Sequence, residues 1–126
     1  MPTKRIFHIC FYAALAALAS IFLPACSPTT QAAGYFPASA RTRITCIIQR
    51  ESGGNPLAVS PTGDHGILQV NYVAHHRNFE NRYHVPFFPN IYSVRYNAMY
   101  GRYLYDYYRS RGGSGYEPWA NGRYPC

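Results

Sequence analysis

Isoleucines at 44, 47 and 48, followed by Glu51, fall at i, i+3, i+4 and i+7. That is one stripe of a helix. Ser52-Gly53-Gly54-Asn55-Pro56 follows directly; glycine supplies a C-terminal cap and proline forbids continuation. A short helix ending at Glu51 or Ser52 is therefore predicted. Residues 57–66 are rich in turn formers, centred on Ser60-Pro61-Thr62-Gly63-Asp64. Ile67-Leu68-Gln69-Val70-Asn71 alternates apolar and polar over too short a span to decide strand or helix. Residues 72–88 mix histidine, arginine and aromatics without a clear period, so loop with one short helix is expected. Residues 91–111 predict a long helix, with Asn90 as N-cap and Gly112-Gly113 as its stop. Val94, Ala98, Gly101, Leu104 and Tyr108 form one packing stripe of it; Tyr96, Tyr100, Tyr103 and Tyr107 form a second, aromatic one. The coarse result is a mainly α domain with a short hairpin or loop region.

The N-terminal third reads differently. Lys4 and Arg5 precede an apolar run at residues 6–23, and small residues with Pro24 follow, the pattern of a secretory signal peptide. Leu23-Pro24-Ala25-Cys26 resembles a bacterial lipobox, which implies a cut before Cys26 and lipidation of that cysteine. The rival cut follows Ala33 in Thr30-Gln31-Ala32-Ala33. Residues 26–40 are Pro-, Ser-, Thr- and Ala-rich and read as a tether, with the domain at 41–126. Cys10 leaves with the signal and Cys26 would carry the lipid, so Cys46 and Cys126 remain as one disulfide in an oxidising compartment. A domain of 86 residues is short for a self-sufficient core, and such a staple is expected of it.

Charge narrows the partners. The chain carries a formal +7; without Lys4 and Arg5, ten arginines face five acids, a net +5. A basic exported protein suits an anionic polymer such as a cell-wall glycan with peptide carboxylates, and export removes nucleic acid from the front rank. The arginines are scattered rather than clustered, and a monomer is expected. His65, His75, His76 and His84 lack a Cys, Asp or Glu at ligand spacing, so neither metal nor cofactor is predicted.

Glu51 is the residue that suggests chemistry. An acid on the apolar face of a helix's last turn is partly desolvated and sits at the negative end of the dipole. Both effects disfavour charge on a carboxylate, which is how a general acid usable near neutral pH is made; a surface glutamate just past the last turn is its other reading.

Glu51-Ser52-Gly53-Gly54-Asn55-Pro56, then Ala58-Val59-Ser60-Pro61-Thr62-Gly63, then Gly66-Ile67-Leu68-Gln69-Val70-Asn71 resemble the soluble lytic transglycosylase family, the SLT domain of lysozyme-like fold. Asn90-Ile91 and Pro118-Trp119 resemble its later landmarks. The resemblance implies cleavage of the β-1,4 bond between N-acetylmuramic acid and N-acetylglucosamine in peptidoglycan, with Glu51 acting first as acid and then as base. It makes Ser52 a hydrogen-bond partner of Glu51 or of the sugar, and Gln69 a substrate-contacting amide. Asn71 is a further candidate contact, or a strand-end cap. Tyr100 and Trp119 are candidate aromatic contacts to the glycan, with core packing as their other use. Tyr96-Asn97-Ala98 has residues like a family motif in altered order and takes no role. Asp64 is the residue that would make the protein a hydrolytic muramidase, were it to position water opposite Glu51; a turn aspartate is its other reading. A non-catalytic glycan-binding module is the alternative from another class.

Overall fold

The computed structural model describes residues 26–120 and 126. The signal segment 1–25, including the lipobox residues before Cys26, lies outside them. Among the described residues there are five helices and a two-stranded hairpin: α1 Pro28–Ala33, α2 Arg41–Ser52, β1 Asp64–His65, β2 Val70–Asn71, α3 Tyr72–Tyr83, α4 Phe87–Asn90 and α5 Val94–Arg109, with 3-10 turns at Ala38–Ala40 and Glu117–Trp119. A mainly helical domain with a small hairpin and one disulfide is what the pattern called for. Among the described residues, no helix is long and apolar enough to cross a membrane.

Residues 26–40 are not a tether. Ser27 caps α1, its Oγ accepting from the Thr30 amide at 3.1 Å, and Pro28 takes the first turn, where a missing N–H costs nothing. Ala32 and Ala33 are buried, and α1 packs on α2 and α5. Phe36 is 1% exposed and meets Tyr105 and Trp119 edge-on at 5.9 and 6.5 Å. Small residues here allow close helix approach, a use whose composition matches that of a flexible linker. A cut after Ala33 would remove α1 from this core.

Helix α2 forms as expected. Ile44, Ile47 and Ile48 are buried, and Gly53 caps the end in the left-handed region at φ 62°. Helix α5 begins later than the pattern suggests. Asn90 closes α4 instead of capping α5, donating from Nδ2 to the Pro86 carbonyl at 2.8 Å, and Ser93 takes the cap position. Ile91 belongs to the end of α4 instead, as its C-cap, with its amide bonded to the Phe87 carbonyl at 2.8 Å and its side chain buried. Helix α3 is longer than expected: it buries Phe79 alone among its residues, too little to write a period into the sequence.

Helix α5 lies between two apolar clusters. One gathers the α1 alanines, Phe36, the α2 isoleucines, Ile67, Leu68, Ala98, Tyr105 and Trp119. The other holds Val70, Phe79, Phe87, Ile91, Tyr100 and Leu104. Gly101 marks where the hairpin loop meets the helix, since an added Cβ would stand 2.5 Å from Leu68 Cδ1. The Cys46–Cys126 disulfide, with Cα atoms 5.7 Å apart, ties α2 to the C-terminus across a sequence separation of 80. In the chain-entropy model such a loop is worth about 4–5 kcal/mol.

Phe36→Ala in the full chain should cost about 3–5 kcal/mol, measured by denaturant unfolding. A tether residue would cost nothing, so an unchanged midpoint would contradict the packing described.

Candidate active site

Glu51 lies in the last turn of α2, with its side chain 16% exposed. Burial and the helix dipole do not set its electrostatics alone. The Arg50 guanidinium donates to Glu51 Oε1 from both Nε at 3.1 Å and Nη2 at 2.8 Å, and Nη2 also donates to the Trp119 carbonyl. This ion pair had no signal in the helical pattern, because neighbouring helix positions do not normally face each other.

Ser52 does not bond Glu51. Its Oγ donates to the Ile67 carbonyl at 2.7 Å and accepts from the Gly54 amide at 3.2 Å. The residue after the acid therefore pins the helix end to the Gly66–Gln69 loop. That loop is held from three more sides. Asn97, fully buried on α5, accepts from the Leu68 amide at 2.9 Å and donates to the His65 and Ile91 carbonyls, each at 3.0 Å. Trp119 Nε1 donates to the Leu68 carbonyl at 3.0 Å. Gln69 sits at φ 53°, and its Nε2 donates to the Gly66 and Ala58 carbonyls at 2.9 and 3.2 Å. Gly66 is required here: a Cβ would stand 2.2 Å from Asn97 Nδ2.

These contacts revise several expectations. Trp119 is a core residue that braces the loop, not an exposed glycan platform, because its ring is 5% exposed against Phe36. Tyr100 is wholly buried, its hydroxyl bonded to His75 Nδ1 at 3.1 Å, so it offers no face to a ligand. Asn71 caps α3, accepting from the Ala74 amide at 3.0 Å and donating to Asp64 Oδ1 and the Thr62 carbonyl. The Gln69 amide nitrogen is spent on the loop in this arrangement. Asn97 was the missed residue; its traces in the sequence were a polar side chain beside Ala98, on the packing face of a helix, and the Tyr96-Asn97-Ala98 likeness to a family motif that was given no role.

Asp64 is the knot of the preceding turn. Ser60 at 2.6 Å and Thr62 donate to Oδ2, while Asn71 donates to Oδ1 at 2.9 Å. Burial pushes its carboxyl up, but the three hydrogen bonds and the His65 charge together hold it below the ordinary aspartate value. The other acids are also engaged in structure. Glu80 accepts from the Phe87 amide, Asp106 pairs with Arg102, and Glu117 accepts from the Ser114 and Gly115 amides.

Beside the hairpin stands a run of rings. His76 stacks on Tyr72 at 4.4 Å, Tyr72 on Phe88 at 5.2 Å, and Phe88 on Tyr92 at 5.9 Å. Tyr92 hydrogen-bonds His65 Nδ1 at 2.9 Å. Tyr72 and Phe88 are exposed large aromatics, where the sequence pointed to Tyr100 and Trp119. Among the described residues, no three His, Cys, Asp or Glu side chains gather as a metal-ligand set.

Two predictions follow from the loop and its neighbours. Asn97→Ala strips partners from the Leu68 amide and two carbonyls, and should cost at least about 2 kcal/mol in equilibrium unfolding. His75 is held below its ordinary value of 6.5, chiefly by desolvation and against the pull of the Asp64 charge. The unfolded chain therefore binds that proton more tightly. The stability tied to His75 is complete above pH 6.5 and declines as pH falls through the lower folded value. His75→Gln should flatten the stability profile across this window, read from melting temperatures between about pH 7 and 5.

A family model described as the transglycosylase SLT domain matches residues 28–120, beginning at the first residue of α1 and ending just past Trp119. The chain finds no significant match among curated proteins and none among solved structures. With a helix-end glutamate, a turn-rich loop and a braced Gly-x-x-Gln segment in the order the motif requires, the chain belongs to the SLT transglycosylase domain family.

Proposed function

We propose that this protein is a peptidoglycan lytic transglycosylase that cleaves the bond between N-acetylmuramic acid and N-acetylglucosamine, with Glu51 as its single acid and base. One observation carries the reading. Of the five acidic residues in the chain, Asp64, Glu80 and Glu117 are taken up by turns and caps and Asp106 by an exposed ion pair, whereas Glu51, paired with its neighbour Arg50, lies at the helix end with its side chain 16% exposed.

A single carboxylate suffices for a reaction in which the substrate supplies the rest. Protonated Glu51 gives its proton to the glycosidic oxygen, and the bond from that oxygen to the muramoyl anomeric carbon breaks. The acetamido oxygen of the same sugar closes on the anomeric carbon and stabilises the positive charge, so no protein nucleophile is needed. Glu51, now a carboxylate, takes the proton of the C6 hydroxyl as that oxygen attacks the anomeric carbon. The bond to the acetamido oxygen opens, a 1,6-anhydro ring forms, and Glu51 ends protonated as it began. No water enters.

A hydrolytic muramidase is the second reading, with Asp64 positioning water. Its carboxylate already accepts from Ser60, Thr62 and Asn71, which disfavours that role. The exposed rings of Tyr72 and Phe88 suit the apolar faces of pyranose sugars, and the basic charge suits stem-peptide carboxylates. We place the protein in the cell envelope as a monomer, with a lipid on Cys26 as its tether and peptidoglycan strands as its partner. Cys26 is exposed, immediately before the Ser27 cap of α1.

Mass spectrometry of muropeptides released from purified peptidoglycan tests this. The full chain should release products lighter by one water than hydrolytic ones, and Glu51→Gln should lower their rate about 10²–10⁴-fold. Reducing-end products would make the protein a muramidase. Wall binding with no release would make it a binding module.

A further inference from the structure

Arg50 and Glu51 are adjacent on α2, where side chains ordinarily diverge by about 100°. Here they converge. Both are largely withdrawn from solvent, with side chains 17% and 16% exposed. Two N–H groups of one guanidinium fall on a single carboxylate oxygen, Oε1, at 3.1 and 2.8 Å. The same guanidinium reaches the Trp119 carbonyl across a sequence separation of 69. Arg50 is thereby anchored outside its own helix. Its orientation is fixed by the 3-10 turn Glu117–Trp119, which is fixed in turn by the buried Trp119 ring and its bond to the Leu68 carbonyl.

From this geometry we infer that Arg50 is a positioning residue for Glu51. It assigns different tasks to the two carboxyl oxygens. Oε1 is held by charge-assisted hydrogen bonds and does not carry the proton; Oε2 is the oxygen that gives and takes it. The guanidinium also compensates the negative charge that Glu51 acquires once its proton has gone to the leaving oxygen. A general acid must meet its target atom within hydrogen-bond reach, and a displacement of about 1 Å costs up to about a hundredfold in rate. A long glutamate side chain at a helix end has the rotamer freedom to drift that far. The clamp removes it.

Cys46 lies four residues before Arg50, on the same face of α2, and carries the bond to Cys126. Disulfide and guanidinium thus hold Cys126 and Trp119 to one helix face at successive turns.

The inference rests on the reading of Glu51 as acid and base, and the test separates the two. Cleavage of soluble uncrosslinked glycan strands is followed for the full chain, Arg50→Met, Arg50→Gln and Arg50→Lys, with melting curves to confirm that each is folded. Arg50→Met keeps the apolar stem, and Arg50→Gln keeps one donor should the methionine variant prove unfolded. The expected result is a fall in kcat of about 10- to 100-fold for both, KM within about threefold, and partial recovery in Arg50→Lys. A purely structural role would lower the melting temperature and leave kcat of the folded fraction intact, which would overturn the inference while the catalytic reading stands. A rise in kcat would overturn it too, by making Arg50 a restraint. If the wild type releases nothing, the catalytic reading falls first, and the role of Arg50 falls with it.

Discussion

Everything around Glu51 depends on how the buried backbone of residues 65–69 is satisfied. This segment turns inside the protein between two short strands, so most of its amides and carbonyls have no ladder to join. Side chains take that place. Asn97 comes from α5, Ser52 from α2, Trp119 from the C-terminal turn and Gln69 from the loop itself. A turn fixed from so many elements is stiff, and Ser52 passes that stiffness to its neighbour, the acid.

The two apolar clusters serve the same end. Helix α5 lies between them, presenting Ala98 and Tyr105 to one and Tyr100 and Leu104 to the other. At its closest approach to the loop it carries Asn97 and Gly101, a polar clamp and a gap, where a continuous apolar stripe would have packed well but held nothing in register. Local stability is given up at that point in exchange for a defined loop. In a domain this small, the disulfide and the residues 28–36 make up part of the apolar burial that the loop region does not provide.

How much of this was legible depends on the kind of signal each residue leaves. The α2 stripe, its glycine cap and the acid at its end are written in local spacing, and cysteine arithmetic was enough for the disulfide. Tyr100 and Trp119 stayed open between glycan contact and core packing, because an aromatic residue looks the same in a sequence whether its face meets solvent or Phe36. Residues 26–40 were misjudged because a capped helix of small residues has the composition of a tether. Asn97 and Arg50 leave no periodic mark: one is a polar break in an apolar face, the other a neighbour whose meaning comes from a carbonyl 69 residues away. Long-range hydrogen bonds are what local pattern cannot carry.

The helical start of the domain bears on where such an enzyme would work. Only Ser27 separates Cys26 from the first residue of α1. One extended residue spans about 3.5 Å. A lipid on Cys26 would therefore hold the folded body almost in contact with the bilayer surface, with no leash on which to search. Its working volume would be a thin layer two-dimensionally coupled to lipid diffusion, and only glycan within about a domain's diameter of the membrane would come within range. Thickness of that gap, more than affinity for the glycan, would decide which strands are cut.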